Sequence, residues 1–277
     1  MGQVEIVRPR QHIIYLSAME RQFDHAARLL RDAYRGESIA PLRAFLEPLD
    51  IDGAYAVQAI NTRYWIDQGR RLVGRKIGAT AKAVQRQFGI DQPDFGALFA
   101  DMRIDDGGVL DPATVTQPRA EAEIAFLLGR DLADPDLSLD DVAAAIDGAM
   151  AAIEIVDSRI TDWKITLSDT IADNGSSAFF ILGTEVRSPI GLDLYSCGMV
   201  TEINGEIVSV GAGAACFDHP YKSVRWLART LALNGEPLRA GDILLSGALG
   251  PMVALTPGDE VRTRIGGLGT CTFTYGA

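Results

Sequence analysis

Histidine and cysteine are scarce in this chain, three of each in 277 residues. Cys197, Cys216 and Cys271 are odd in number, far apart and without metal-type spacing. That excludes a disulfide framework or a zinc ribbon and fits a reducing, cytoplasmic setting with the thiols as small core fillers. His12, His25 and His219 stand in no triad-like setting and no G-x-S-x-G stretch occurs, so nucleophilic serine hydrolysis is excluded. Positive charge is also short: 26 Lys and Arg face 37 Asp and Glu, for a net charge of −11. With the basic residues scattered, no footprint for nucleic acid or an anionic membrane surface remains. No apolar run approaches the roughly 20 residues of a spanning helix. The early HIIYLSAM is too short, flanked by charge and without a small-residue cleavage pattern, so it is not a signal peptide. Met19 offers a second start, with residues 1–18 an added arm. Internal repeats and low-complexity linkers are missing as well.

What is present is an ordinary packable composition, 47% hydrophobic and 23% charged, in a chain long enough to bury a large core. FDHAARLLRDAYRG carries an apolar stripe at Ala26, Leu29, Leu30 and Ala33, with Gly36 where a C-terminal cap belongs. A second helix spans IDGAYAVQAINTRYWIDQGR. From Arg71 the pattern shifts to short apolar runs punctuated by glycine: LVGRKIGAT, a helix AKAVQRQFG closed by Gly89, and a loop IDQPDFGALFADM. SLDDVAAAIDGAMAA, with Ser138 before a charged first turn, predicts a helix feeding a strand at IEIVDSRI. Further on, Asn204-Gly205 marks a hairpin, and DILLSGAL, MVALTP and VRTRIGGLGTCTFTY read as strands. One helix interrupts them, HPYKSVRWLARTLALNG, with Pro220 in its first turn, Gly235 beyond its end and His219 at its start as a cap or packing residue. Strands dominate without regular βαβ alternation, so the class is α+β. Residues 1–70 read as an N-terminal arm and helical segment, and 71–277 as a β-rich domain.

QPRAEAEIAFLLGR, residues 117–130, is the most informative stretch. On a strand Glu121 and Glu123 point the same way, about 7 Å apart along the chain. Two such carboxylates either mark the wet face of an edge strand or, half-buried, need a compensating cation. Glu154, wedged between Ile153 and Ile155 in a run suited to a core strand, adds a third. The three form an all-oxygen set suited to Mg²⁺ or Mn²⁺, and they leave octahedral positions open for water and substrate.

The ordered blocks GRKIGATAKAVQ, DQPDFGALFADM, PRAEAEIAFLLG, IEIVDSRITDWK, TIADNGSSAFFILG and GAGAACFDHPYKSVRWLA resemble the 2-keto-4-pentenoate (2-hydroxypenta-2,4-dienoate) hydratases of the fumarylacetoacetate hydrolase superfamily. The resemblance runs from about Asp52 to the C terminus. It implies a mixed, β-rich fumarylacetoacetate hydrolase-like domain in which Glu121, Glu123 and Glu154 bind Mg²⁺ or Mn²⁺. It places the lysine of the family's KIG on Lys76, the acid of its EPDFG-like loop on Asp94, and its N-x-S-S serines on Ser176 and Ser177. Gln92 departs from the family, where many relatives have glutamate, which leaves Asp94 as the acid there. Lys76 and Asp94 would then serve proton transfer and water activation, and the serines substrate binding. The implied activity is a cytoplasmic hydro-lyase, adding water to 2-hydroxypenta-2,4-dienoate or a close homologue in aromatic meta-cleavage catabolism. Alternatives are 4-oxalocrotonate decarboxylation through the same metal–enolate chemistry, C–C bond hydrolysis, and a silent partner subunit. The implied partners are a small 2-oxo or 2-hydroxydienoate acid and further copies of the chain, with a pathway decarboxylase or aldolase as an associate.

Residue types alone leave other readings open. Asp94 after Pro93 also suits a turn, and DNGSS hydroxyls also satisfy local backbone. Asp157, Arg159, Asp162 and Lys164 alternate in charge, either as an outer ring around Glu154 or as a separate ion-pair network. GAGAA and IGGLG lack the strand–helix context of a phosphate loop.

Overall fold

The computed structural model describes residues 9–277, with side chains from Glu20 onward except that of Phe88. Residues 1–8 of the arm assigned to residues 1–18, and the side chain of His12, lie outside the described part, while residues 9–18 begin α1. The elements run in the order α1 (Pro9–Ala33), α2 (Ile51–Asp67), β1 (Leu72–Gly78), α3 (Lys82–Phe88), β2 (Asp94–Phe99), β3 (Arg103–Ile104), β4 (Gly108–Leu110) and β5 (Arg119–Leu128). They continue with α4 (Leu139–Ala145), β6 (Ile146–Val156), α5 (Leu167–Ala172), β7 (Ser177–Leu182), β8 (Gly198–Ile203), β9 (Glu206–Ala212) and α6 (Pro220–Leu233). The last strands are β10 (Ile243–Leu245), β11 (Val253–Ala254), β12 (Glu260–Ile265) and β13 (Gly269–Tyr275).

Two mixed sheets carry the fold. The larger has the order β2-β1-β10-β5-β6-β7-β3, with β11 also on β5; the smaller has the order β4-β13-β12-β8-β9. β5 and β6 pair antiparallel through the middle of the larger sheet, with Glu121 opposite Glu154 and Glu123 opposite Ala152. Strand alternation then decides the rest. Ala120, Ala122, Ile124 and Phe126 enter the main core with Ile153 and Ile155, Val261 and Phe273 of the smaller sheet, and Val224 and Leu227 of α6. The opposite face of β5 and β6 carries the three glutamates at one end. Beyond them it becomes a second apolar cluster with Ala125, Met150, Ala152, Phe99 and Leu245. A third cluster joins Ala26 and Leu30 of α1, Val57 of α2, and Leu167 and Ile171 of α5.

Much of the local reading holds. Gly89 closes α3 at φ 70, and Asn204 and Gly205, at φ 53 and 83, make the hairpin turn. Ser138 caps α4 in a capping box with Asp141, and the His219 side chain accepts the Tyr221 N–H at 3.0 Å at the head of α6. Three expectations are corrected. DFGALF, read within a loop, is strand β2, buried at every position; covered on both faces, it has no alternation to betray it. The helix expected over SLDDVAAAIDGAMAA stops at Ala145, and Ile146 onward is strand β6. There, pairing with β5 and β7 overrides the helix preference of alanine. Gly36 does not adopt the positive φ of a cap glycine. Phe126 is fully buried in the main core, and Phe126→Ala is expected to cost about 3–5 kcal/mol, read as a lower urea midpoint with unchanged slope.

Candidate metal centre

The register of β5 and β6 brings carboxylate oxygens of Glu121, Glu123 and Glu154 within 4.8 Å of one another. Glu123 and Glu154 are fully buried and Glu121 partly so. One oxygen of Glu123 accepts the Gly247 N–H at 2.7 Å. Its other oxygen and both oxygens of Glu154 have no hydrogen-bond partner. Buried carboxylate oxygens without donors are costly unless something cationic meets them.

One such cation is Lys76 on β1. Its buried ammonium lies 3.1 Å from Glu154 Oε2, an ion contact that falls short of a directed hydrogen bond, and donates to the Gly175 carbonyl at 3.1 Å. Gly175 has φ +61, and a Cβ there would sit 3.1 Å from Lys76 Cδ, so glycine supplies both the conformation and the space. Asp94 stands opposite Gly78 in the β1–β2 ladder and is buried, with Oδ1 unpartnered. A Cβ at Gly78 would strike that carboxylate. Four carboxylates therefore surround one ammonium.

The electrostatics follow from burial. Desolvation alone would pull the Lys76 ammonium down, but Glu154, Asp94, Glu121 and Glu123 together hold it above its ordinary range. Burial pushes Glu121 up to about 7, against Lys76 and with Glu154. Burial, then Glu154 and Glu121, raise Glu123 well above the carboxylate range. Burial also raises Glu154 and Asp94, opposed in each case by Lys76. With one ammonium among four acids the site is short of positive charge. A divalent ion fits this donor set: octahedral oxygens around Mg²⁺ lie roughly 3–4 Å apart, and the orphaned oxygens are the ones such an ion would take.

The remaining sequence candidates divide. The Ser177 hydroxyl, fully buried without a partner of good geometry, lies beside Glu154 and favours its charged form. The Ser176 hydroxyl is shared with Thr170 Oγ1 at 3.1 Å. Asp157, Arg159, Asp162 and Lys164 do not ring Glu154. Asp157 accepts the N–H groups of Thr116 and Gln117, Arg159 pairs with Asp173 at 2.6 Å, and Asp162 and Lys164 pair on the surface. The backbone groups of Gly175 and Gly247 carry no sequence signal that would have announced them. Arg119 does: it lies two residues before Glu121, hence on the same strand face. Its guanidinium sits 4.4 Å over the Trp163 ring and lowers the pKa of Glu121.

Residues 74–275 match the family described as fumarylacetoacetate (FAA) hydrolase C-terminal. This chain belongs to the fumarylacetoacetate hydrolase family. Within it, the chain is 50% identical over 251 residues to a 2-keto-4-pentenoate hydratase of Paraburkholderia xenovorans (strain LB400), covering 90% of this chain and 93% of that protein. A 2-hydroxyhexa-2,4-dienoate hydratase of Comamonas testosteroni is 40% identical, with 93% and 97% covered. Among solved structures, the 4-oxalocrotonate decarboxylase from Pseudomonas putida G7, complexed with magnesium and adipate, superposes with TM-score 0.88 at 34% identity, covering 92% of this chain and 97% of that one. The family fold and a carboxylate trio able to hold a metal are thus both present.

Acids whose folded pKa is raised favour the protonated folded state, so their contribution to stability is full below the unfolded pKa and lost as pH rises through the folded one. For Glu121 that window runs from 4.5 to about 7. The melting temperature of EDTA-treated protein is expected to fall between pH 5 and 8, and Mg²⁺ to raise it more at pH 8 than at pH 5. A metal-free melting temperature that climbs across this window would contradict the charge assignment. In calorimetric titrations, Glu123→Gln is expected to weaken Mg²⁺ binding at least 10²-fold.

Proposed function

We propose that the protein is a metal-dependent hydro-lyase that adds water to 2-hydroxypenta-2,4-dienoate, or a close homologue, to give a 4-hydroxy-2-oxo acid in aromatic meta-cleavage catabolism. The observation that carries this reading is the buried trio of Glu121, Glu123 and Glu154, with donorless oxygens, facing the Lys76 ammonium. Relatives 50% and 40% identical, named as hydratases of this substrate class, support it.

The metal we assign is Mg²⁺ or Mn²⁺, held by Glu121, Glu123 and Glu154, since among the described residues the donors that converge there are carboxylate oxygens. When bound, such an ion supplies Lewis-acid stabilisation of negative charge on a 2-oxo acid. The chain's own groups supply the rest. Lys76, fixed by Gly175 and Glu154, holds a proton and a positive charge where the substrate carboxylate and C2 oxygen arrive. Ketonisation of the dienol places a proton on C5, and water then adds at C4 of the conjugated 2-oxo-enoate. Asp94, buried and with raised proton affinity, is the carboxyl group suited to carry a proton between these steps. The Ser177 hydroxyl offers a hydrogen bond to substrate, and Ser176, spent on Thr170, supports the turn that presents it.

A second reading is decarboxylation of 4-oxalocrotonate, favoured by the likeness to that decarboxylase and by Arg119 as a further cation on the glutamate face. The hydratase names of the more similar relatives weigh against it, and the intact site weighs against a silent subunit. Among the described residues no histidine stands at the site to activate water for C–C bond hydrolysis. We further propose residues 71–277 as the catalytic domain, with the preceding helices packed onto α5 of that domain through a shared apolar cluster, a homo-oligomeric state, association with a pathway decarboxylase or aldolase, and a cytoplasmic location consistent with three buried free cysteines. No helix of the described residues is long and apolar enough to cross a membrane.

Loss of dienol absorbance in the presence of Mg²⁺, abolished by EDTA, is the expected result with 2-hydroxypenta-2,4-dienoate. Faster turnover of 4-oxalocrotonate would transfer the assignment to the decarboxylase. Lys76→Met is expected to lower kcat by about 10²–10⁴-fold, and a variant within threefold of wild type would remove Lys76 from the reaction.

A further inference from the structure

The turn that links α5 to β7 is unusual backbone. Asn174, Gly175 and Ser176 have φ of 58, 61 and 54, all in the left-handed region. Non-glycine residues persist there only where their surroundings over-determine them. Here one side chain grips both ends of the turn. Arg159, 4% exposed, donates from Nε to Asp173 Oδ1 at 2.6 Å and from Nη2 to the carbonyls of Asp173 at 2.9 Å and Ser177 at 3.2 Å. Its own backbone N–H donates to Asp173 Oδ2 at 3.0 Å. A rigid guanidinium fork thus grips the first and last residues of the turn. Asn174 adds a two-way bond to Ala97 on β2, at 2.7 and 3.0 Å.

The turn's central carbonyl, that of Gly175, accepts the Lys76 ammonium, and its last residue is Ser177. At Asn174 the turn borders a cavity of about 570 Å³, lined also by Tyr34, Trp65, Asp157 and Arg159, among others. Without the arginine's grip the strained turn has room to relax outward. Arg159 is itself held by the N-terminal helices. Its Cζ lies 4.2 Å over the ring of Tyr34, just beyond α1, and Tyr34 packs edge-on against Trp65 of α2.

We propose that Arg159 is a positioning residue for Lys76. It fixes the 173–177 turn so that the Gly175 carbonyl aims the ammonium at the glutamate trio, and Tyr34 steadies Arg159. The consequence for catalysis rests on the reading of Lys76 as a group of the reaction; the positioning itself does not. On this account the helical segment is part of the active-site scaffold.

The test compares wild type, Arg159→Lys and Tyr34→Leu, and begins with metal-free protein. Arg159→Lys keeps the charge and loses the fork. Expected are hydrogen exchange at residues 173–177 at least about tenfold faster, and loss of the slowly exchanging Lys76 ammonium signal in protein carrying ¹⁵Nζ-lysine. With Mg²⁺ and the dienol, kcat should fall about 10–100-fold while the Mg²⁺ Kd stays within threefold. Tyr34→Leu, at a half-buried position, should move each readout the same way by a smaller factor, and it decides the matter if Arg159→Lys does not fold. Variants that melt earlier yet keep wild-type exchange in the turn, the Lys76 signal and kcat per folded molecule would reduce Arg159 to a structural ion pair and overturn the proposal. Failure of wild type to turn over the dienol would instead sink the hydratase reading, leaving the exchange and ammonium readouts to judge Arg159.

Discussion

The structure depends on the meeting of one buried ammonium with four carboxylates, three on the central strands β5 and β6 and one on β2. Charges of like sign at such spacing cannot all stay ionised out of water without compensation. Lys76 supplies one positive charge and the backbone N–H of Gly247 a partial one. What is still lacking is the charge of a divalent ion. The need that makes the metal-free arrangement costly is one that a bound divalent ion would meet.

Holding these groups together requires rigidity from several directions. β5 and β6 fix Glu121 opposite Glu154 by register, and β1 brings Lys76 alongside. Gln58 of α2 ties two distant pieces of the wall by donating to the carbonyls of Phe95, next to Asp94, and Ile171, just before the 173–177 turn. The cavities bounded by Tyr55 and Phe95, and by Tyr34 and Arg159, lie between the N-terminal helices and the sheet. The helices thus brace the site from behind without contributing a carboxylate to it.

The sequence makes its strongest statements where one strand face differs from the other. Alternation around Glu121 and Glu123 announced a same-facing pair, and the Asn204-Gly205 turn and the caps at Ser138 and His219 follow from local chemistry. It misled where both faces of a strand are covered. DFGALF and IDGAMAA have no polar face to mark a period, so the reading is a loop where β2 stands and a helix over the first part of β6, while IEIV is correctly read as strand. Arg119 was within reach by the same alternation that revealed Glu121.

By itself, then, the sequence determined an α+β chain of the fumarylacetoacetate hydrolase family with an acidic trio, because spacing and side-chain type survive without coordinates. Only the tertiary structure decided which groups meet. Glu154 reaches Glu121 through strand pairing, Lys76 is aimed by a carbonyl nearly a hundred residues away, and Ser177 rather than Ser176 is left with a free buried hydroxyl. Such meetings depend on register, on left-handed turns and on backbone donors and acceptors, and every residue carries the same backbone groups, so no residue type in the sequence marks them.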